Sequence, residues 1–278
     1  MEIFRLLATL YHLSLVPSRK HFSNPAPRQD LSSNNVDTSG EEESQNLTFV
    51  ESQSKRLQLM QSVCAKYSKK MSRSIIKERF LFSNKYRLLY CCNAKAGTTT
   101  WKVSTFFKLK QIEHTNFFPR KLRNYVSFFT VRHPFERLVS AYENKVVRNH
   151  AKYLHNATFL EFLTDFVIEE YHQCPRNNLC MNIHWLPYDA SCSYCNVPYK
   201  YVQKMETFDR DAEEILKEVG LEEFSKSHKH NNQRKGKISS RDLTMTYFKN
   251  VPREIKLELH NIYKYDFESF NYSVQDYF

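Results

Sequence analysis

The stretch that decides the fold is LLYCCNAKAGTTTWK, residues 88–102. It begins with an apolar run typical of a buried strand and continues with Lys95, Gly97 and three threonines before a predicted helix. A strand, a glycine-containing loop and a helix N-terminus together surround an anion with backbone N–H groups. The chain has only four glycines, so a glycine here indicates a specific backbone requirement. The stretch therefore predicts a phosphate-binding loop in an α/β fold.

This loop differs from the nucleoside-triphosphate loop G-x-x-x-x-G-K-[ST]. The first glycine is missing, Lys95 precedes Gly97 instead of following it, and no acidic strand end is evident to hold Mg²⁺. Phosphate binding without magnesium suits a donor that has a nucleotide phosphate as its leaving group and transfers something other than phosphoryl. A nucleotide kinase or triphosphatase is accordingly the least favoured hypothesis.

A second buried strand, residues 125–131, leads into the segment RHPFERLVSAYENK. Arg132 directly follows this strand, at the end where open α/β sheets place ligand groups. Ser140 lies in a helix predicted over residues 134–148, and an arginine fork and a hydroxyl can share one phosphate. The alternative is a surface ion pair between Arg132 and Glu136.

Strands followed by helices along the chain predict an α/β fold with a central parallel sheet flanked by helices. Further helices are predicted over residues 99–110, from a capping box at Thr158 and Glu161, over 209–219 before Gly220, and near 253–264.

Composition divides the chain of 278 residues into three parts. Residues 1–16 are apolar but short for a membrane span, which predicts a signal or anchor segment. Residues 17–56 are polar and irregular, as in a disordered stem. The folded domain is predicted over residues 57–278, with a helix-permissive start at 57–85.

The net charge of +11 predicts an anionic partner, namely nucleic acid, a membrane or an acidic polysaccharide. The alternative is a basic surface that serves solubility alone. Asn46, Asn156 and Asn271 each begin an N-x-[ST] glycosylation triplet. With the apolar N-terminus, these triplets favour the lumen of the secretory pathway.

Seven cysteines fit that oxidising compartment. Four of them cluster as disulfide partners in one loop would, namely Cys174, Cys180, Cys192 and Cys195. A zinc site that adds His172 or His184 is the less favoured alternative. An odd count leaves a free thiol, for which Cys91 or Cys92 in the buried strand is the candidate.

The motifs KAGTTTWK (95–102) and RHPFERLVSAY (132–142) resemble the two donor-binding motifs of the Golgi carbohydrate sulfotransferases, in the group that contains the chondroitin and N-acetylgalactosamine 4-O-sulfotransferases. In the first motif, P-K-V-x-C-T-x-W, Ala94 replaces the proline and Thr98 the cysteine. The second matches R-x-P-F-E-R-L-x-S-A-Y almost letter for letter. Similarity continues through NIHWLP (182–187) to the C-terminus.

The resemblance implies a P-loop-like sulfotransferase fold, the donor 3′-phosphoadenosine 5′-phosphosulfate, no metal, and an acidic glycan rather than nucleic acid as acceptor. Lys95 would neutralise the leaving phosphate. The implied donor-binding residues are Lys95, Ala96, Gly97, Thr98, Thr99, Thr100, Arg132 and Ser140.

His184 is the favoured base for the acceptor hydroxyl, because imidazole titrates near neutral pH. A structural histidine is the alternative, and His133 and Glu136 are weaker candidates for the base. Arg137 is interpreted as a second contact or a surface residue. Trp101 is interpreted as core, and Trp185 as core or as a platform for a sugar ring.

The resemblance also implies a Golgi lumenal protein, single-pass type II if residues 1–16 anchor it and secreted if they are cleaved. A chondroitin-type glycosaminoglycan is the favoured acceptor, and another N-acetylgalactosamine-containing glycan is the alternative. The competing hypothesis is a lumenal glycosaminoglycan-binding protein that has lost catalysis, since two positions of the first motif are replaced.

Overall fold

The computed structural model describes residues 47–71, 74–106, 124–148, 154, 156–174, 180–227 and 238–278. Its strands are β1 Phe80–Ser83, β2 Leu88–Cys91, β3 Val126–Val131 and β4 Tyr201–Lys204. Its α-helices are α1 Phe49–Tyr67, α2 Thr98–Trp101, α3 Pro134–Tyr142, α4 Phe159–Glu161, α5 Glu169–Gln173, α6 Tyr188–Cys192, α7 Phe208–Glu218, α8 Ser240–Phe248, α9 Arg253–Ile262 and α10 Lys264–Ser269. Wider π-helical turns extend α2 over Lys102–Phe106 and α3 over Glu143–Arg148, and join α4 to α5 over Phe162–Ile168.

The sheet has the order β1-β2-β3-β4. Strands β2, β3 and β4 run parallel, whereas β1 pairs antiparallel with β2, with Phe80 opposite Cys91. The α/β prediction is confirmed, but the sheet is mixed rather than parallel. The reason is a hairpin between β1 and β2, where the short apolar run FLFS turns back through Arg87, whose φ is +49°. Because β2 and β3 are parallel neighbours, their carboxyl ends meet at one edge.

Both faces of the sheet are covered, which explains why its strands read as continuous apolar runs. On one face, Tyr90 and Phe128 pack against Trp101 and α7. On the other, Leu89 and Phe129 pack against residues of α1 and α6. Trp101 is fully buried, so its interpretation as a core residue is confirmed. A separate apolar cluster joins α3 to α4, α8 and α9.

Helix α1 begins inside the segment predicted as a disordered stem, so the boundary at residue 57 is wrong. Thr48 and Glu51 form a reciprocal capping box at its start. The Gln53 side chain accepts from the Val202 N–H at 2.9 Å and donates to the Val202 carbonyl at 3.2 Å. This pairing protects the outer edge of β4, where an edge strand would otherwise leave backbone N–H and C=O groups unpaired. The helix was not predicted from the sequence because its first turns are polar, and the residues that they bury include serine and glutamine.

The predicted helices occur close to their expected positions. The capping box at Thr158 and Glu161 is present, and α7 ends before Gly220, whose φ is +71°. The helix predicted over 99–110 is described only to residue 106, and Val103 on its predicted apolar side is 50% exposed. Its remainder lies outside the described residues.

Six cysteines form three disulfides, which are Cys64–Cys195, Cys91–Cys192 and Cys174–Cys180. The four predicted cysteines are all bonded, yet only Cys174 and Cys180 pair within their cluster. The partners of Cys192 and Cys195 are distant in sequence, because folding places α6 beside β2 and α1. Cys92 is the free, buried thiol. Disulfide sulfurs are not available as thiolate ligands, so the zinc alternative is wrong.

Two of the predicted glycosylation residues, Asn156 and Asn271, are exposed on turns with positive φ. Asn46 and residues 1–16 lie outside the described residues. Across the described ranges, no helix has both the length and the apolar character needed to span a membrane.

Candidate active site

The loop between β2 and α2 owes its shape to two left-handed residues. Lys95 has a φ of +67° and Gly97 a φ of +69°. A Cβ at position 97 would overlap the ring of Phe208, so both the backbone angle and the space require glycine. The Trp101 N–H donates to the Gly97 carbonyl at 3.2 Å, which starts the helix. The first N–H groups of a helix have no intrahelical acceptor, so the loop presents donors to an anion.

The three threonines differ in what they offer. The Thr98 hydroxyl donates to the Asn93 carbonyl within the loop and lies 3.2 Å from the Tyr90 hydroxyl. Thr100 is buried, whereas Thr99 is exposed. The prediction that all three hydroxyls serve as phosphate donors is therefore wrong for the side chains of Thr98 and Thr100. Their contribution to the loop is through the backbone. Ala96 is likewise wholly buried.

Arg132 joins the two predicted motifs. Its Nη1 donates to the Lys95 carbonyl at 3.4 Å, and its Nη2 donates to the Ser240 hydroxyl at the start of α8. The ion pair with Glu136 exists at 3.3 Å, but both side chains are largely buried, so it is not the surface pair of the alternative interpretation. Ser140 lies further along α3 and is half-buried. Its hydroxyl makes no hydrogen bond within the described part of the chain.

Positive charge is concentrated around Lys95. Burial, together with the charges of Lys145, Arg132 and Arg148, lowers the pKa of the Lys95 ammonium to about 8. Lys145 forms no ion pair with any described residue, and Arg148 lies 4.0 Å from Glu143. Such a cluster of cations stabilises a bound polyanion, because each charge that repels Lys95 attracts the ligand.

His184 lies in the same field. Burial, and then the positive charges of Lys145 and Lys95, lower the pKa of its imidazole to about 3. Its Nδ1 is buried and has no hydrogen-bond partner among the described residues. The backbone N–H of His184 donates to the side-chain oxygen of Asn182 at 3.0 Å. The structure thus brings His184 within electrostatic reach of Lys95, although they are distant in sequence.

His133 is occupied structurally. Its Nδ1 accepts from the Phe135 N–H at 3.2 Å, so its Nε2 carries the proton and donates to the Ser273 carbonyl at 2.8 Å. Both ring nitrogens are therefore used, which argues against His133 as the base. His184 remains the better candidate.

Burial confirms the core alternative for Trp185 and rules out a ligand contact for both Trp185 and Arg137. Trp185 is fully buried and donates through Nε1 to Glu170 at 2.8 Å, so it offers no platform to a sugar ring. Arg137 is 2% exposed, donates to the Leu186 carbonyl and stacks 4.3 Å from the centre of the Tyr188 ring. It is neither a surface residue nor open to a ligand, and it supports the segment that carries His184.

Sequence reasoning missed four residues at the site, which are Lys145, Arg148, Tyr188 and Ser240. The first two follow Ser140 along a continuous helix, and that spacing was the available signal. The contacts of Tyr188 and Ser240 join segments that are distant in sequence, and no local sequence pattern indicates them.

A sequence profile described as "Sulfotransferase family" matches residues 78–273. The chain belongs to this family. The match includes the loop at Lys95, the motif from Arg132 to Ser140 and the segment around His184. The resemblance on which the sequence predictions rested is therefore confirmed at the level of the family, and with it a P-loop-like fold.

Carbohydrate sulfotransferases are among its relatives. Carbohydrate sulfotransferase 11 of Rattus norvegicus is 29% identical over 195 residues, which cover 62% of this chain and 52% of that protein. Carbohydrate sulfotransferase 10 of Homo sapiens is 27% identical over 271 residues, covering 79% of this chain and 73% of that protein. The chain spans about half the length of the first of these relatives. No solved structure matches it.

Proposed function

We propose that this protein transfers a sulfuryl group from 3′-phosphoadenosine 5′-phosphosulfate to a hydroxyl of a glycan. One observation carries the proposal above all. Arg132, from one motif of this family, contacts the backbone of Lys95, from the other, at 3.4 Å. Two cationic phosphate sites on neighbouring strand ends fit a nucleotide that carries phosphates at two positions.

The donor roles follow from this geometry. Lys95 and the loop N–H groups receive the phosphate that leaves with the nucleotide, where negative charge grows during transfer. Arg132 and Ser140 bind the 3′-phosphate. Ser140 lacks a hydrogen-bond partner within the described residues, and the lowered pKa of Lys95 reflects its burial and then the positive charges around it. Both features are those expected of a site awaiting an anionic ligand.

The acceptor roles centre on His184. The acceptor oxygen forms a bond to sulfur, the bond between sulfur and the leaving phosphate oxygen breaks, and the hydroxyl proton moves to the imidazole. With its pKa lowered to about 3, His184 is neutral at physiological pH and can accept a proton. Donor binding adds negative charge beside Lys95 and Lys145, which raises the basicity of His184 at the step where it is needed.

An acidic, chondroitin-type glycan is the proposed acceptor, since the chain carries a net charge of +11 and the cationic cluster includes Lys145, which pairs with no acidic side chain among the described residues. The proposed location is the Golgi lumen, with residues 1–16 as a type II anchor or a cleaved signal. Three disulfides and exposed glycosylation triplets support an oxidising lumen.

The test is transfer of radiolabelled sulfate by the purified chain, with chelator present, to desulfated chondroitin, dermatan, heparosan and N-acetylgalactosamine-terminated glycans. Label on one acceptor, abolished by Lys95→Ala and retained by Lys85→Ala, is the expected result. Lys85 is exposed at the opposite end of β2, so it controls for the loss of a lysine. Folded protein that binds none of the donor nucleotide would contradict the proposal and favour glycan binding without catalysis.

A further inference from the structure

The backbone of Arg132 is held by one buried side chain. The Tyr188 hydroxyl accepts from the Arg132 N–H at 3.0 Å and donates to the Arg132 carbonyl at 3.2 Å. Arg132 lies just beyond β3, where the sheet ladder no longer supplies partners. A single hydroxyl thus pairs with both backbone polar groups of Arg132, the residue whose guanidinium is predicted to bind phosphate.

Tyr188 is itself fixed on several sides. It is fully buried, and its own N–H is shared by both carboxylate oxygens of Asp266, at 3.1 and 2.9 Å. The Arg137 guanidinium covers its ring at 4.3 Å. Burial raises the pKa of the Tyr188 hydroxyl to about 12, so it stays protonated and able to donate. A side chain held in this way can fix the position of the residue to which it is hydrogen-bonded.

The same short helix reaches the other parts of the site. Tyr188 begins α6, and Cys192 ends it in a disulfide with Cys91, the last residue of β2. The donor loop follows Cys91 directly, and His184 lies one turn before Tyr188 in sequence. Helix α6 therefore contacts the ends of both strands that carry the donor motifs, and it continues from the segment of the candidate base.

We propose that Tyr188 is a positioning residue that sets Arg132 for the 3′-phosphate of the donor. The inference rests on the proposed function, because it assigns to Arg132 the phosphate that distinguishes this donor from other adenine nucleotides. Tyr188 touches no ligand. Its hydroxyl aligns the backbone of Arg132 with a loop that α6 and the Cys91–Cys192 disulfide hold in place.

The test compares two nucleotides on the full chain, adenosine 3′,5′-bisphosphate and adenosine 5′-monophosphate, by calorimetry. Tyr188→Phe removes only the hydroxyl. We expect it to weaken binding of the bisphosphate about tenfold, the loss of roughly one well-placed hydrogen bond, and binding of the monophosphate less than about twofold. In transfer assays the KM for the donor rises by a similar factor, while kcat changes little.

Tyr194→Phe is the matched control. Tyr194 is equally buried in the same apolar cluster, and its hydroxyl is paired with Ser269 at 3.0 Å, away from Arg132. It should leave the ratio of the two nucleotide affinities unchanged. If Tyr188 had a purely structural role, Tyr188→Phe would weaken the binding of both nucleotides by the same factor. A general loss of stability would do the same.

The outcomes separate the inference from the proposed function. Wild-type protein that does not prefer the bisphosphate would overturn the donor assignment. A wild-type preference that Tyr188→Phe leaves intact would overturn the inference alone. Should the variant not fold, hydrogen exchange of the Arg132 amide in wild-type protein decides. Protection without nucleotide is expected, and rapid exchange that only nucleotide slows would overturn the role of Tyr188.

Discussion

Two loops supply the candidate catalytic side chains, and they are built in opposite ways. The loop with Lys95 is shaped by its own residues, through positive φ at Lys95 and Gly97 and the Thr98 hydroxyl on the Asn93 carbonyl. The segment with His184 is held from afar. Tyr263 donates to the Trp185 carbonyl at 2.6 Å from a position 78 residues away, and Arg137 and Glu170 add further contacts.

This difference separates the effects of mutation. A change at Lys95 removes a charge but leaves the backbone contacts of the loop in place, so it should alter chemistry more than stability. A change in the supports of His184 should lower stability and activity together, because contacts from Tyr263, Arg137 and Glu170 hold the segment in place.

Lys95→Ala should give the largest loss. The variant lacks the ammonium that stabilises the leaving phosphate, and such groups contribute on the order of 10²–10³ in rate. We expect kcat/KM for the donor to fall by about 10³, since binding is lost as well, while the melting temperature stays within about 2 °C of wild type. Steady-state transfer assays and calorimetry measure both. Equal activity in Lys95→Ala and the control Lys85→Ala would remove the loop from the site.

His184→Gln should lower kcat by at least about 10², in the range expected for loss of a general base. Binding of adenosine 3′,5′-bisphosphate should be unchanged, because His184 serves the acceptor. His172→Gln is the control, since His172 is exposed and pairs with Glu258 at 2.9 Å. A variant with reduced nucleotide affinity but normal kcat would place His184 in the donor site instead.

The pH dependence of nucleotide binding should reveal Lys95. Its pKa is lowered to about 8 in the free protein, and an anionic ligand raises that pKa in the complex. Above pH 8 binding must therefore take up a proton, so affinity should fall about tenfold per pH unit. Calorimetric titrations between pH 6.5 and 9.5 measure this slope. Lys95→Arg keeps its charge throughout this range, and its profile should be flat; a slope that persists there would point to another group.

Glu170→Ala tests the supported segment. Glu170 accepts from the Asn182 N–H at 2.9 Å and from Trp185 at 2.8 Å, so its loss leaves two donors without their partner. The free energy of unfolding should fall by about 1–3 kcal/mol, and kcat should fall severalfold with nucleotide affinity retained. Denaturant unfolding and transfer assays report the two effects. Glu169→Ala, its exposed neighbour, is the control; equal effects in both variants would deny Glu170 its supporting role.

Much of the site could be predicted because its signals are local. Lys95, Gly97 and Arg132 lie where parallel strands end, and strand ends are readable as the points where apolar runs stop. The roles of Thr98 and Thr100 were overestimated because a hydroxyl type is visible in sequence but its direction is not. The sequence left Trp185 open between core and platform for the same reason, since burial decides whether an aromatic ring contacts a sugar or packs in the core.

The sequence by itself determined the strand–loop–helix unit at 88–102, the motif from Arg132 to Ser140 and membership of the sulfotransferase family. These depend on residue types at short spacing, and the φ that Gly97 permits belongs to a single residue. Only the tertiary structure decided the mixed sheet, the pairing of Cys91 with Cys192, the burial of Arg137, and the approach of Lys145 to both Lys95 and His184. Those features join residues distant in the chain, and their contacts exist only once packing has fixed which surfaces meet.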